Sequence, residues 1–179
     1  HVETSKPKKD ERDRVGSIVF PYFRPDGTPN GFKRWRLWDK EQKEFTKTDQ
    51  KFDQKTGSSV HLYMPPLRHK SLTMPEVLRN PAHRLIIAEG ETRALASNYY
   101  GEPCVAIGGI DNYGKGGKLC ADLLNIPLEG REVVYVFDSD VAKRRDLQEK
   151  VIKFTHLLAE QRAVVKWVPV PDLGDGNTG

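Results

Sequence analysis

The sequence has few cysteines and no long hydrophobic run. Its two cysteines, Cys104 and Cys120, are too far apart in the 179 residues to form a CxxC motif. A disulfide framework and a zinc site are therefore not expected, and two buried reduced thiols are predicted. The longest apolar runs, at residues 85–88 and 133–137, are far shorter than the roughly 20 residues that span a bilayer. No membrane partner is expected.

The amino-terminal residues lack the apolar core of a secretory signal. Residues 1–10 are largely polar and charged, and with so few cysteines this favours a cytoplasmic location. Residues 1–14 also show no hydrophobic periodicity, so we expect them to form a flexible lead-in to the folded part of the chain.

Charge is distributed unevenly along the chain, although the net charge is only +4. Residues 1–82 contain 17 basic and 11 acidic side chains, whereas residues 83–179 contain 12 basic and 14 acidic ones. This distribution suits a protein that binds phosphates through its basic region and a metal ion through its clustered acids. A merely solubilising basic surface is the alternative.

Residues 15–82 are predicted to form a basic, β-rich amino-terminal region. Residues 17–24 and 32–38 are rich in β-branched and aromatic side chains and are separated by a run of Pro, Asp, Gly and Asn. This pattern predicts a β-hairpin. Residues 39–59 are polar and are predicted to be a long loop, and residues 60–64 to form a short strand ahead of two prolines.

Residues 83–179 are predicted to form a second, α/β domain. Short apolar runs alternate there with segments of helical character, which is typical of a small parallel, Rossmann-like sheet with helices on both faces. The predicted strands are 85–88, 104–107, 133–137 and 164–168, and the predicted helices are 91–99, 118–124 and 141–161.

Acidic residues follow two of the predicted strands. Glu89 comes directly after one strand, and Asp138 and Asp140 come directly after another. In an extended segment, residues two apart point the same way, so the two aspartates are expected to present their carboxylates together. Such a pair is stabilised by a hard cation, and Mg²⁺ or Mn²⁺ is the expected cofactor. Glu89, at the end of the other strand, is expected either to complete this metal site or to move a proton. For each acid taken alone, a helix cap or a solvated turn is the alternative.

These segments also resemble a known family. LIIAEGETRALA at residues 85–96 and VVYVFDSD at residues 133–140 resemble the TOPRIM fold of bacterial-type primases, topoisomerases and related nucleases. The hairpin, HLYMPP, PCVAIGGIDNY and the closing VPVPDLGDGNTG extend the likeness to a TOPRIM-like family of plasmid, phage and mobile-element replication proteins. The resemblance covers roughly residues 15–179.

The resemblance implies metal-dependent nucleotidyl or phosphoryl transfer on nucleic acid, and a primase-like activity is the leading expectation. Glu89 matches the general acid or base, and Asp138 and Asp140 match the Mg²⁺ ligands. Nucleotides, single-stranded DNA or RNA, and a helicase module of the full-length protein are the implied partners. A TOPRIM-type nuclease and a non-catalytic module that docks nucleic acid or a helicase are the alternatives.

The residues after the aspartates depart from the family pattern. Many TOPRIM sequences have a glycine two or three residues after the pair, whereas Val141-Ala142-Lys143-Arg144-Arg145 follows in this chain. This departure weakens the primase interpretation. Lys143 and Arg144 are candidate phosphate contacts, with a solvated helix start as the alternative.

A glycine-rich loop follows the second predicted strand. The run from Gly109 to Lys115 fits the GxxxxGK part of a P-loop, but Gly116 stands where Ser or Thr would hold Mg²⁺. Only 22 residues separate Lys115 from Asp138, too few for the usual ATPase connection. Gly108, Gly109 and Lys115 are instead predicted to form a glycine loop near the site, a candidate phosphate loop.

Cations alternate with aromatic residues in the predicted hairpin. Lys33, Arg34 and Arg36 are interleaved with residues such as Trp35, a pattern suited to single-stranded nucleic acid, where phosphates meet cations and bases stack on rings. Since Arg34 and Arg36 share one face of a strand, Trp35 is predicted to point into the core. The three cations are candidate nucleic-acid contacts.

Overall fold

The computed structural model describes residues 15–39, 44–45, 52–55 and 57–170. The chain divides into two compact units, a smaller one within residues 1–21 and 31–58 and a larger one formed by residues 22–30 and 59–179. The lead-in predicted for residues 1–14 and the polar tail from residue 171 onward lie outside the described residues.

The amino-terminal sheet is built around one long strand. Its strands are β1 (Val15–Phe23), β2 (Pro29–Asp39), β3 (Glu44–Phe45) and β4 (Phe52–Gln54). Strand β2 pairs with β1 and, in antiparallel fashion, with β3 and β4. The predicted hairpin is confirmed, and its turn is closed by the Thr28 backbone N–H and hydroxyl, which both donate to Asp26.

The loop predicted for residues 39–59 is wrong where it overlaps β3 and β4. These strands are only two and three residues long, so neither carries a hydrophobic pattern that could reveal it. Their extended conformation is set by pairing with β2, where Trp38 lies opposite Phe45 and Arg36 lies opposite Phe52.

A four-stranded parallel sheet forms the centre of the larger unit, as predicted. The strands are β5 (Leu85–Glu89), β6 (Cys104–Ile107), β9 (Glu132–Phe137) and β10 (Val164–Pro169). Their order in the sheet is β10-β9-β5-β6, and the described pairs are parallel. The central strands are buried because helices flank the sheet.

The longest helix covers the sheet with one apolar stripe. Leu147, Val151, Phe154 and Leu158 recur at helical spacing and are buried. The helix predicted over residues 141–161 begins later than expected, because Arg144 has extended backbone angles and separates it from a 3₁₀ helix. The helices are α1 (Met74–Arg79), α2 (Glu91–Tyr99), α3 (Ala121–Leu124), α4 (Arg145–Glu160) and the 3₁₀ helix Ser139–Lys143.

Two further predictions were wrong. Residues 60–64 do not form a strand; Tyr63 makes an isolated bridge to Ala106, with two backbone hydrogen bonds of 2.8 Å. The helix predicted from residue 118 begins only at α3, since β7 (Gly114–Lys115) and β8 (Lys118–Leu119) form a hairpin first. Gly114 permits this hairpin, because a Cβ there would lie 1.8 Å from the Lys118 carbonyl oxygen.

A fully buried arginine holds α1 against the larger unit. The Arg131 side chain has no exposed surface and donates to four backbone carbonyls within 2.9–3.1 Å, those of Pro127, Val77, His83 and Leu78. The guanidinium therefore satisfies carbonyl groups at the end of α1 that lack partners within the helix.

The prediction for the cysteines is confirmed. Cys104 and Cys120 are free and buried, and burial raises the pKa of the Cys104 thiol to about 12. Neither thiol is therefore a reactive thiolate at neutral pH. In the described part of the chain, every helix is too short or too polar to cross a bilayer.

Candidate functional site

The carboxyl edge of the parallel sheet brings two of the predicted acids together. Glu89 ends β5 opposite Ile107 of β6, and Ala88 lies opposite Val136 of β9. Asp138 follows the last residue of β9. Because β5 and β9 are neighbours that run the same way, both carboxylates stand at the edge where ligands bind in open α/β sheets.

A buried tyrosine links the two acids. The Tyr135 hydroxyl donates a 3.1 Å hydrogen bond to Glu89 Oε1, and its side chain is fully buried. Burial, then the negative charge of Glu89 and its hydrogen bond, and then the charge of Asp138 raise the pKa of Tyr135. The Tyr135 hydroxyl therefore stays protonated and donates to Glu89, which holds that carboxylate in place. The negative charges of Glu89 and Asp138 both act on this hydroxyl.

Arg93 bridges the two acidic segments. It lies one helical turn after Glu89, and its Nη1 donates a 3.1 Å hydrogen bond to the Glu89 backbone carbonyl. The same guanidinium forms an ion pair with Asp138 Oδ1. Both side chains are about one-third exposed or less, so this pair is shielded better than a surface salt bridge.

The local geometry around Asp140 differs from the prediction. Strand β9 ends at Phe137, and Asp138 stands at the N-cap position of the 3₁₀ helix Ser139–Lys143 that contains Asp140, without a capping hydrogen bond from its side chain. The extended spacing that was expected to place Asp138 and Asp140 on one side therefore does not apply. The side chain of Asp140 lies outside the described part of the structure.

The donor set at this edge fits a hard divalent cation. Glu89 and Asp138 offer carboxylate oxygens, the ligands that Mg²⁺ prefers, and Mg²⁺ commonly binds through one or two carboxylates and keeps several waters. Among the described side chains, no group of three acidic, histidine or cysteine residues is arranged to hold a metal. A cation at Asp138 would compete with the Arg93 guanidinium for the same carboxylate.

A further carboxylate lies near the site, and sequence reasoning gave it no role. Glu91, the first residue of α2, is fully buried and accepts a 2.7 Å hydrogen bond from the Tyr22 hydroxyl. Burial and the charge of Glu91 raise the pKa of Tyr63 to about 12, and the Tyr22 and Tyr63 rings lie edge to face at 5.0 Å. The buried pairing indicates that Glu91 holds the start of α2 in place.

The glycine loop begins at the same edge as the acids but does not form a P-loop. Gly108 follows β6 directly, and Asn112 bonds back to the carbonyls of Gly108 and Gly109 at 3.1 and 2.8 Å. Lys115 is exposed in β7. The loop leads into the β7–β8 hairpin rather than into the helix whose amino terminus cradles phosphate in a P-loop.

The predicted cations of the larger unit are exposed next to the acids. Lys143 ends the 3₁₀ helix that begins after Asp138, and Arg144 follows it. Both side chains are exposed, and Arg144 also forms a 2.6 Å ion pair with Asp146. The chain thus places positive charge within a few residues of Asp138.

The predicted cations of the smaller unit are mostly engaged in packing. The Arg34 and Arg36 guanidinium groups lie over the Phe52 ring, 4.5 and 5.2 Å from its centroid. Arg36 is only 8% exposed, whereas Lys33 is exposed. Trp35, predicted to point into the core, is only half-buried, because the arginine side chains occupy the face that packs on Phe52.

Comparison with known proteins assigns the chain to one family. Residues 75–177, more than half of the chain, match the family described as "Domain of unknown function (DUF3854)". The chain belongs to this family, and the matched stretch contains the parallel sheet and its acidic edge. No match was found among curated proteins or among solved structures.

Proposed function

We propose that this chain is a TOPRIM-type domain that carries out metal-dependent nucleotidyl or phosphoryl transfer on nucleic acid, with a primase-like activity in a mobile-element replication protein. The observation that carries the proposal is the convergence of Glu89 and Asp138 at the carboxyl edge of a parallel sheet. Two carboxylates at neighbouring strand ends, with exposed cations close by in the sequence, suit phosphate chemistry better than a purely structural role.

The proposed metal ligands are Asp138 and Asp140, with Glu89 beside them. Mg²⁺ or Mn²⁺ held there would supply positive charge that offsets the negative charge developing on the phosphate oxygens during transfer. Glu89 would accept or donate the proton of the reacting hydroxyl, and the Tyr135 hydrogen bond to Oε1 would hold its carboxylate in position.

The proposed substrates are nucleotides and single-stranded DNA or RNA in the cytoplasm. Lys143 and Arg144 would meet substrate phosphates, since they are exposed directly after the acidic turn. Gly108 and Gly109 start a loop at the same edge of the sheet, and Lys115 is a further candidate cation. A helicase module of a longer protein is the proposed protein partner.

The test is a direct search for products. The protein is incubated with nucleotides, single-stranded templates and Mg²⁺ or Mn²⁺, and primers and cleavage fragments are resolved in one gel. Primers support the primase-like activity and fragments support a nuclease. Either product should disappear in the Asp138→Asn, Asp140→Asn double variant, and a product that persists at full yield would contradict the proposed site.

A non-catalytic module that docks nucleic acid or a helicase is the second candidate. The observation that favours it is the Arg93–Asp138 ion pair, which already neutralises one of the carboxylates. This candidate expects no product from the wild-type protein under any metal condition, together with single-strand binding that does not require metal.

A further inference from the structure

A cavity lies beside the acidic edge, between α4 and the edge strand β10. Its volume of about 490 Å³ is in the range of small-ligand pockets. Phe137 and Trp167 line one wall, with ring centroids 5.8 Å apart. Val151 and Thr155 of α4 line the opposite wall. The cavity is therefore largely apolar, with aromatic faces on one side.

A row of aromatic rings connects this cavity to the acids. Phe137 lies 5.8 Å from Trp167 on one side and 5.8 Å from Tyr135 on the other, centroid to centroid. The Tyr135 hydroxyl bonds to Glu89, and Asp138 follows Phe137 in the chain. A ligand that stacks in the cavity would thus have its other end within reach of the acidic edge.

Two polar side chains accompany the apolar lining. Gln148 and His156 line the cavity, and both are exposed. A planar heteroaromatic ring suits such a lining, because its faces stack on aromatic side chains and its edge atoms form hydrogen bonds with polar ones.

The charge next to the cavity suits a phosphorylated ligand. Ala142 belongs to the lining, and the exposed Lys143 and Arg144 follow it directly. Trp167 is 59% exposed, so one face of its ring is open to a ligand. Stacking on an aromatic side chain with phosphates held by neighbouring cations is the usual way in which proteins bind nucleotides of single strands.

We propose that this cavity binds a nucleobase, by stacking against the exposed ring of Trp167, while the phosphates of the same nucleotide lie beside Lys143 and Arg144 at the acidic edge. The proposal rests on the proposed function and names its substrate class. The base belongs either to a free nucleotide or to a single strand, and the two sources are separated by the choice of probe.

The test uses Trp167 as its own reporter. The chain has three tryptophans, so a Trp35→Phe, Trp38→Phe background leaves Trp167 as the only one. ATP or a short oligothymidylate should quench its fluorescence, and tripolyphosphate, which has no base, should not. Quenching by ATP alone identifies a nucleotide pocket, and quenching by the oligonucleotide alone identifies a strand-binding pocket.

Variants then measure the contribution of each contact by equilibrium dialysis with labelled ligand. Trp167→Ala should weaken binding about 5- to 150-fold, the range for loss of one stacked base, and Trp167→Phe should restore most of it. Tyr100→Ala, at an aromatic residue that is 82% exposed and outside the cavity lining, should leave affinity unchanged.

Two results would overturn the proposal. ATP that binds no more tightly than tripolyphosphate shows that the base makes no contact, and unchanged affinity in Trp167→Ala shows that the base lies elsewhere. Failure of the proposed function looks different: base-dependent quenching persists, but the protein binds no metal and forms no product.

Discussion

In the smaller unit the charged side chains of Arg34 and Arg36 cover a single aromatic ring, Phe52, whereas in the larger unit Glu89 and Asp138 stand at the ends of buried strands. The first arrangement stabilises a small sheet by packing and cation–π contact. The second brings like charges together at the carboxyl edge of the sheet, where Arg93 and Tyr135 offset their repulsion. The position of a charged side chain on the fold therefore decides whether it packs within a sheet or stands at a strand end.

The largest expected effect is a loss of reaction rate on substitution of Glu89. Glu89→Gln keeps the size and hydrogen-bonding capacity of the side chain but cannot move a proton, so any primer synthesis or cleavage should fall by about 10²–10⁴-fold. Single-strand affinity should change little, because the aspartates and cations remain. Rates and binding constants of both proteins measure the two effects.

Glu102→Gln is the matched control for this variant. Glu102 is an exposed glutamate paired with Arg84 on the surface, so its substitution should leave the rate unchanged. A Glu89→Gln protein with full activity would remove Glu89 from the mechanism, and an equal loss in both variants would point to a general effect on folding.

The next largest effect is expected on stability, at Arg131. Arg131→Met removes donors from four backbone carbonyls, and each buried carbonyl left without a partner costs about 1–3 kcal/mol. The free energy of unfolding, measured by urea titration, should fall by at least about 3 kcal/mol. Arg84→Met, at a half-exposed ion pair, should cost less than about 1 kcal/mol; equal losses would contradict the role of Arg131.

The smallest effect separates packing from nucleic-acid contact in the smaller unit. Arg36→Met keeps the apolar stem but removes the charge over Phe52, so stability should fall by about 1–2 kcal/mol and the salt dependence of nucleic-acid binding should not change. Lys33→Met, at an exposed position, should leave stability unchanged. If the hairpin does contact phosphate, Lys33→Met should reduce the slope of log affinity against log salt concentration by about one. A slope reduced by Arg36→Met instead would show that the packed arginine contacts phosphate, which contradicts a role in packing alone.

The parallel sheet was predictable from the sequence because its strands are continuous apolar runs between helical segments. The short strands β3 and β4 were not, because pairing with β2 determines them rather than their own residues. The break at Arg144 was missed for a similar reason, since an apolar period of 3.6 residues does not distinguish one helix from a 3₁₀ turn followed by a helix.

The site was predictable only in part. The positions of Glu89 and Asp138 followed from the rule that carboxyl ends of neighbouring parallel strands share an edge. The roles of Arg93 and Tyr135 depend on side-chain directions and strand order, which the sequence does not supply. A weak signal existed for both: Arg93 lies four residues after Glu89, and Tyr135 is a polar aromatic residue in an otherwise apolar strand.

Substitution of Arg93 gives a separate test of metal binding at Asp138. Because its guanidinium pairs with Asp138, a divalent cation must compete with it, and Arg93→Met should tighten Mg²⁺ or Mn²⁺ binding rather than weaken it. A structural role for Arg93 alone would leave metal affinity unchanged in a variant that still folds. This readout does not depend on any enzymatic activity.

The most direct test of the acidic edge is calorimetric titration of Mg²⁺ and Mn²⁺ into the wild-type protein and into the Asp138→Asn, Asp140→Asn variant. Weak binding is expected in the wild type, since water supplies most ligands of such a site. The double variant should lose this binding and remain folded, as thermal unfolding would verify. Undiminished metal binding in the folded double variant would contradict a metal site at this edge.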